Sequence, residues 1–181
     1  GHEVQLRTAP WGDRDDVSVN SAIAASVDGA TVAIHHGDDG VTLFVDGDEA
    51  TLARGSYLPV GDGGAVVSAG DTFMVLWSDG ARADVVRTSG HLDLTLDPST
   101  TGVEWDGLFG DGDGDPANDL VLADGAVLEA PDVEVLHGDY AEAWRVTDET
   151  SLLHYEDGES TETHTDPDFP RGHASLATLD P

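Results

Sequence analysis

Residues 27–50 read VDGATVAIHHGDDGVTLFVDGDEA. Three Asp-Gly dipeptides, Asp28-Gly29, Asp39-Gly40 and Asp46-Gly47, cut the stretch into short runs in which apolar and polar residues alternate. A period of two puts successive side chains on opposite faces of a strand. Asp-Gly accepts the positive φ that tight hairpin turns need. The stretch therefore predicts antiparallel strands joined by tight turns, not βαβ units.

The same texture extends in both directions. EVQLRT (3–8) and DVSVNSAIAASV (16–27) precede it; EATLARG (49–55), AVVSAG (65–70), TFMVLWSDG (72–80), ADVVRT (83–88) and HLDLTLD (91–97) follow. With ATVAIHH (30–36) and VTLFVDG (41–47) they make nine expected strands, with further turns at Asp62-Gly63 and Asp79-Gly80. No helical periodicity stands out before residue 137. The expected fold is all-β, an antiparallel β-sandwich. After Pro98 the pattern becomes loop-like, and residues 137–158 suit a short helix and a strand within an irregular C-terminal region. Residues 1–170 are read as one domain with a subdomain change near residue 98, and 171–181 as a polar tail of extended or mobile chain.

Composition narrows the partners. The chain has 181 residues, with 37 Asp plus Glu against seven basic residues, every one of them arginine, for a formal charge of −30. Small soluble domains usually carry a net charge of about 2 to 8 in magnitude, so self-repulsion is large until salt screens it. At molar salt the Debye length falls to about 3 Å. A high-salt setting, or cross-linking by divalent cations, follows from this balance. Nucleic acid and anionic membranes both call for a basic patch and are not expected partners. Cysteine is absent, which removes disulfides and thiolate-bound metals. Apolar residues at 39% in strand-like runs argue against disorder.

The stretch GLFGDGDGDPANDLVLADG (107–125) packs four aspartates and one asparagine into residues 111–119. Calcium takes six to eight oxygen ligands at about 2.3–2.6 Å, and glycines allow such a loop to curl inward. Asp111, Asp113, Asn118 and Asp119 offer side-chain oxygens. Asp115, held extended before Pro116, offers its carbonyl. The spacing is not an EF-hand, since Pro116 stands where glycine is needed and Leu122 where a bidentate Glu belongs. A solvated acidic loop in an acidic chain is the competing reading. Apolar anchors on either side (Trp105, Leu108 and Phe109 before it, Leu120, Val121 and Leu122 after) favour an ordered loop.

WDGLFGDGDGDPANDLVLADG (105–125), YAEAWRV (140–146) and SLLHYEDGESTETHTDPDFP (151–170) together resemble the C-terminal half of a von Willebrand factor type D domain. VSVNSAIAASVDG (17–29), residues 55–88 and HLDLTL (91–96) are similar to the middle strands of its cysteine-free prokaryotic members. The resemblance spans about residues 3–170. In that family the loop commonly reads Gly-Leu-Cys-Gly-Asn-x-Asn-Gly and ends in Asn-Asp or Asp-Asp. Phe109 replaces the cysteine here, and Asp111 and Asp113 replace the asparagines. The resemblance implies calcium held by Asp111, Asp113, Asn118 and Asp119, with the Asp115 carbonyl contributing. Two features depart from the pattern. The family's opening segments, Gly-Asp-Pro-His and a Thr-Phe-Asp-Gly strand whose Asp is a further ligand, are not among these residues, and its disulfides are missing. Gly114-Asp115-Pro116-Ala117 lacks the histidine of the family's cleavage sequence, so Asp115-Pro116 reads as a loop stiffener.

Other constellations are weaker. His35 and His36 are adjacent on a strand and should face opposite ways, and His137, His154, His164 and His173 lack a ligand-like spacing. Carboxylate pairs suited to glycoside hydrolysis arise by chance among so many acids. No nucleophile elbow or phosphate-binding glycine loop is present. Trp11, Trp77, Trp105 and Trp144 suit core anchoring better than sugar stacking. The expected function is therefore a non-enzymatic, extracellular or cell-surface, calcium-stabilised module for adhesion or assembly. Its partners would be other protein domains of the same or neighbouring chains, in a high-salt environment. A carbohydrate-binding or hydrolase accessory β-domain is the alternative.

Overall fold

The computed structural model describes residues 2–14, 16–98, 106–108, 110–111 and 115–166, with only the backbone of Val133. Trp105, Phe109, Asp113, His173 and the 171–181 tail, all singled out in the sequence, lie outside the described residues. The described residues 2–98 and 148–166 form one compact unit and 106–147 a second.

The first unit is an all-β sandwich of two five-stranded antiparallel sheets. Strands β1 (Glu3–Pro10), β2 (Ser18–Val27), β3 (Ala30–Gly37), β4 (Gly40–Val45) and β5 (Asp48–Ala50) pair in chain order. So do β6 (Tyr57–Val60), β7 (Gly64–Ala69), β8 (Thr72–Leu76), β9 (Arg82–Arg87) and β10 (Leu92–Asp97) in the second sheet. The turn chemistry explains these meanders. Val27 pairs with Ala30 and Val45 with Asp48, leaving two-residue turns at Asp28-Gly29 (φ 48° and 90°) and Asp46-Gly47 (φ 51° and 84°). Both residues of each turn take the positive φ of a type I′ hairpin. Between them the register differs from expectation. Gly37 pairs with Gly40, so Asp38 and Asp39 make the turn and Gly40 begins β4.

Inward-facing residues of both sheets interlock in one core. Ile23, Val27, Val32, Ile34 and Leu43 from the first sheet meet Val60, Val66, Phe73, Val75, Trp77, Val85 and Leu92 around the second. Polar ties cross between the sheets as well. The Trp77 indole donates to the Ser26 carbonyl at 2.7 Å, and Asn20 Nδ2 to the Leu92 carbonyl at 3.0 Å. Asp28 accepts from both the Ser78 backbone N–H (2.7 Å) and its hydroxyl (3.0 Å).

Four expectations need correction. A strand absent from the nine, Tyr57–Val60, pairs with β7 at the edge of the second sheet. Its Pro59 breaks the strand pattern in sequence, yet proline is tolerated where a strand has a neighbour on one side only. The strand expected over 49–55 closes after Ala50. Helical backbone begins upstream of residue 137, at Val133, and runs to Ala143 with a π turn over Leu136–Tyr140. No strand forms over the later part of 137–158. Residues 148–166 instead run as irregular chain with one 3₁₀ turn, Glu162–His164.

That irregular chain straps the outer face of the first sheet. Cross-strand partners Gln5, Ala24, Ala33 and Phe44 form one row there, and Arg7, Ala22, His35 and Thr42 the next. The small alanines leave a trough, and Leu152 and Leu153 pack into it against Ala24, Ala33 and Phe44. Gln5, only 5% exposed, anchors the strap: its Oε1 accepts from Leu152 N–H at 2.7 Å and its Nε2 donates to the Thr150 carbonyl at 2.8 Å. Gln5→Ala removes both bonds and leaves the Leu152 N–H without its acceptor, at an expected cost of about 1–3 kcal/mol. A lower denaturant midpoint with an unchanged m-value is the checking measurement.

Candidate metal loop

The second unit is built around the acidic stretch. Gly107 (φ 137°) and Gly110 (φ 79°) turn the chain into it, with Gly110 N–H donating to the Gly107 carbonyl at 3.1 Å. A small hairpin leads out: Leu128 N–H bonds the Leu120 carbonyl (2.8 Å), Leu122 N–H bonds Ala126 (2.9 Å), and Val121 bridges Val127. Asp124-Gly125 forms its turn, with Gly125 at φ 86°.

Two aromatic side chains, Tyr140 in the helical segment and Trp144 just after it, tie the loop at both ends. Tyr140 is buried, and its hydroxyl donates to the Leu108 carbonyl at 3.1 Å. Trp144, one residue beyond the segment, donates its indole N–H to the Val121 carbonyl at 2.9 Å. Residues four apart project from the same side of helical backbone, so one short element reaches both the entry and the exit. Burial, together with the Asp119 carboxylate, raises the Tyr140 hydroxyl above its ordinary range, which keeps it a donor. Sequence reasoning placed Trp144 in a core and did not single out Tyr140. The Tyr-x-x-x-Trp spacing was the available signal.

Between the ties, the structure brings Asp111 and Asn118 together, with Asn118 Nδ2 donating to Asp111 Oδ2 at 3.0 Å. The Asn118 amide oxygen is shut off from solvent. Asp119 folds over Gly110, its carboxylate occupying the space a Cβ at that position would need. Asp111, Asn118 and Asp119 are thus gathered at one turn. Asp115 is exposed and serves its own local turn: its Oδ1 accepts from Ala117 N–H (3.0 Å) and its carbonyl from Asn118 N–H (3.3 Å). Asp113 lies outside the described residues.

Among the described residues no three His, Asp or Glu side chains stand together as a metal-holding group. The gathered set consists of two carboxylates and an amide, all oxygen donors, as a hard cation such as calcium prefers. These residues fit the group in donor chemistry. Among the described residues the histidines form no competing set: His35 faces Phe44 on the outer face of the first sheet, whereas His36 reaches the Thr88 carbonyl at 3.3 Å. Of the tryptophans, Trp77 is core and Trp11 is half exposed. No protein-family model matches the sequence and no curated protein matches it, so the reading of the loop stands on its residues and their geometry.

Proposed function

We propose that the chain is a non-enzymatic, calcium-stabilised β-module of an extracellular or surface protein, of the von Willebrand factor type D kind, acting in adhesion or assembly with other protein domains. The observation that supports this reading is the gathered oxygen set in a loop tied at both ends, by Tyr140 to Leu108 and by Trp144 to Val121. A solvated loop needs no such ties. In this reading Asp111, Asn118 and Asp119 hold the ion, joined by Asp113 and the Asp115 carbonyl, and the ion neutralises carboxylates that otherwise repel one another. The strongly acidic surface belongs with a high-salt environment, where repulsion between modules is screened.

An ion that binds the folded state alone stabilises it by mass action, about 2.7 kcal/mol when free calcium is 100 times its dissociation constant. Calorimetry at molar sodium chloride, with calcium or with chelator, should show the corresponding rise in melting temperature. Asp111→Ala combined with Asp119→Ala should abolish the rise. An identical melting temperature with calcium and chelator would sink the structural role of the ion. Among the described residues, the carbohydrate-binding alternative draws on the exposed aromatics Trp11 and Tyr57. A glycan array separates the two, since a pure assembly module retains no sugar.

A further inference from the structure

We propose that residues 148–166 form an acid-released cover over the first sheet, with His35 beneath it as the group that takes up the proton. His35 projects from the outer face of β3, between its cross-strand partners Ala22 and Thr42. Its ring lies 5.0 Å from that of Phe44 and 6.2 Å from that of His154 on the strap, and His154 stacks flat on Phe44 at 3.9 Å. His35 Nε2 is shut off from solvent and, among the described residues, has no hydrogen-bond partner. A neutral imidazole tolerates this as an acceptor left idle. An imidazolium does not, because it would bury an N–H donor with nothing to receive it.

The charges around the ring oppose protonation while the strap is down. Arg7 on β1 and His154 and His164 on the strap all disfavour a second cation, and among the described residues Glu159 favours it. Glu159 is already engaged by His164 at 3.3 Å. Burial first, then Arg7 and His154, hold the His35 ring down to about 4, against an ordinary value of 6.5. The sign follows directly. With the strap lifted, Nε2 reaches water and the ring binds its proton more readily, so closure is favoured fully above 6.5 and is weakened as pH falls toward 4. The closing equilibrium loses up to about tenfold per pH unit in that window.

The strap's other polar ties survive the same window. Thr161, through its backbone N–H and hydroxyl, holds the Asp148 carboxyl below its ordinary range. The Glu156 backbone N–H, with His164, does the same for Glu159. Both carboxylates therefore stay charged while His35 titrates, and the Glu159–His164 pair resists opening rather than driving it. Release is then local to the trough, where Leu152 and Leu153 sit beside His154.

Amide hydrogen exchange, divided by the intrinsic rate at each pH, tests this on the whole chain at constant molar salt. Between pH 7 and 4.5 the protection factor of Leu152, whose N–H is bonded to Gln5, is expected to fall more than tenfold. Val66 and Val85, deep in the core, should keep theirs. His35→Leu should make Leu152 protection flat across the range. A Leu152 protection factor independent of pH overturns the proposal, as does an equal fall in His35→Leu or a fall shared by Val66 and Val85. Should that variant fail to fold, NMR titration of the His35 ring in the unmodified chain decides: a midpoint well below 6.5 supports the proposal and one near 6.5 overturns it.

Discussion

Trp77→Ala is expected to lower the unfolding free energy by about 3–5 kcal/mol, the usual cost of emptying a buried aromatic site. Trp77 is 5% exposed and sits in the core shared by both sheets. Its indole N–H also donates to the Ser26 carbonyl at 2.7 Å, a bond that alanine removes. Trp77→Phe keeps much of the volume and loses the bond, so it should cost markedly less than the alanine variant. Urea unfolding at fixed salt measures both. For a chain of this length the alanine change corresponds to a drop in melting temperature of about 10 °C. Equal losses for phenylalanine and alanine would show that the hydrogen bond, not the packing, dominates.

The second large effect is expected at Gly61. It holds φ 54°, and a Cβ there would collide with the backbone carbonyls of Val27 and Asp28. These carbonyls cannot give way cheaply, because the Asp28 carbonyl accepts from Asp62 N–H at 2.8 Å and the Asp28 side chain grips Ser78. Left-handed backbone costs an alanine about 1–2 kcal/mol, and overpacking adds about 1–3 kcal/mol. Gly61→Ala should therefore lose roughly 2–5 kcal/mol by these two costs together. Gly47→Ala supplies the control. It too has positive φ, at 84°, but its Cβ would meet nothing within 4 Å, so only the backbone cost of about 1–2 kcal/mol applies. Equal losses at both positions would show that the close approach at Gly61 carries no penalty.

The sandwich was legible because its turn chemistry is local. Asp28-Gly29 and Asp46-Gly47 announce a backbone requirement that no distant contact alters. Tyr57–Val60 was hidden by Pro59, whose exclusion from strands applies to central positions and not to an edge. The strap was hidden for a different reason. Ala22, Ala24 and Ala33 make the outer face of the first sheet apolar without making it look so, because alanine adds little contrast to an alternating pattern. A strand that is apolar on both faces signals a cover, and SAIAASV (21–27) carries that signal faintly. In the acidic loop, the oxygen donors were visible as a cluster. Their tethering was not, since it depends on Tyr140 and Trp144, well removed in sequence from the carbonyls they hold.

Because every strand in each sheet pairs with its neighbour in the chain, both sheets assemble from short-range contacts, the kind that form early and quickly. Hairpins of this size close in about 1–10 μs. The union of Gln5 with Leu152 spans 147 positions, and its loop-closure entropy can be met only after the sheets exist to receive it. During synthesis, then, the alanine trough remains bare until residues 148–166 emerge, well after the strands they cover. The order of construction leaves one apolar face waiting for a segment that is made long after it.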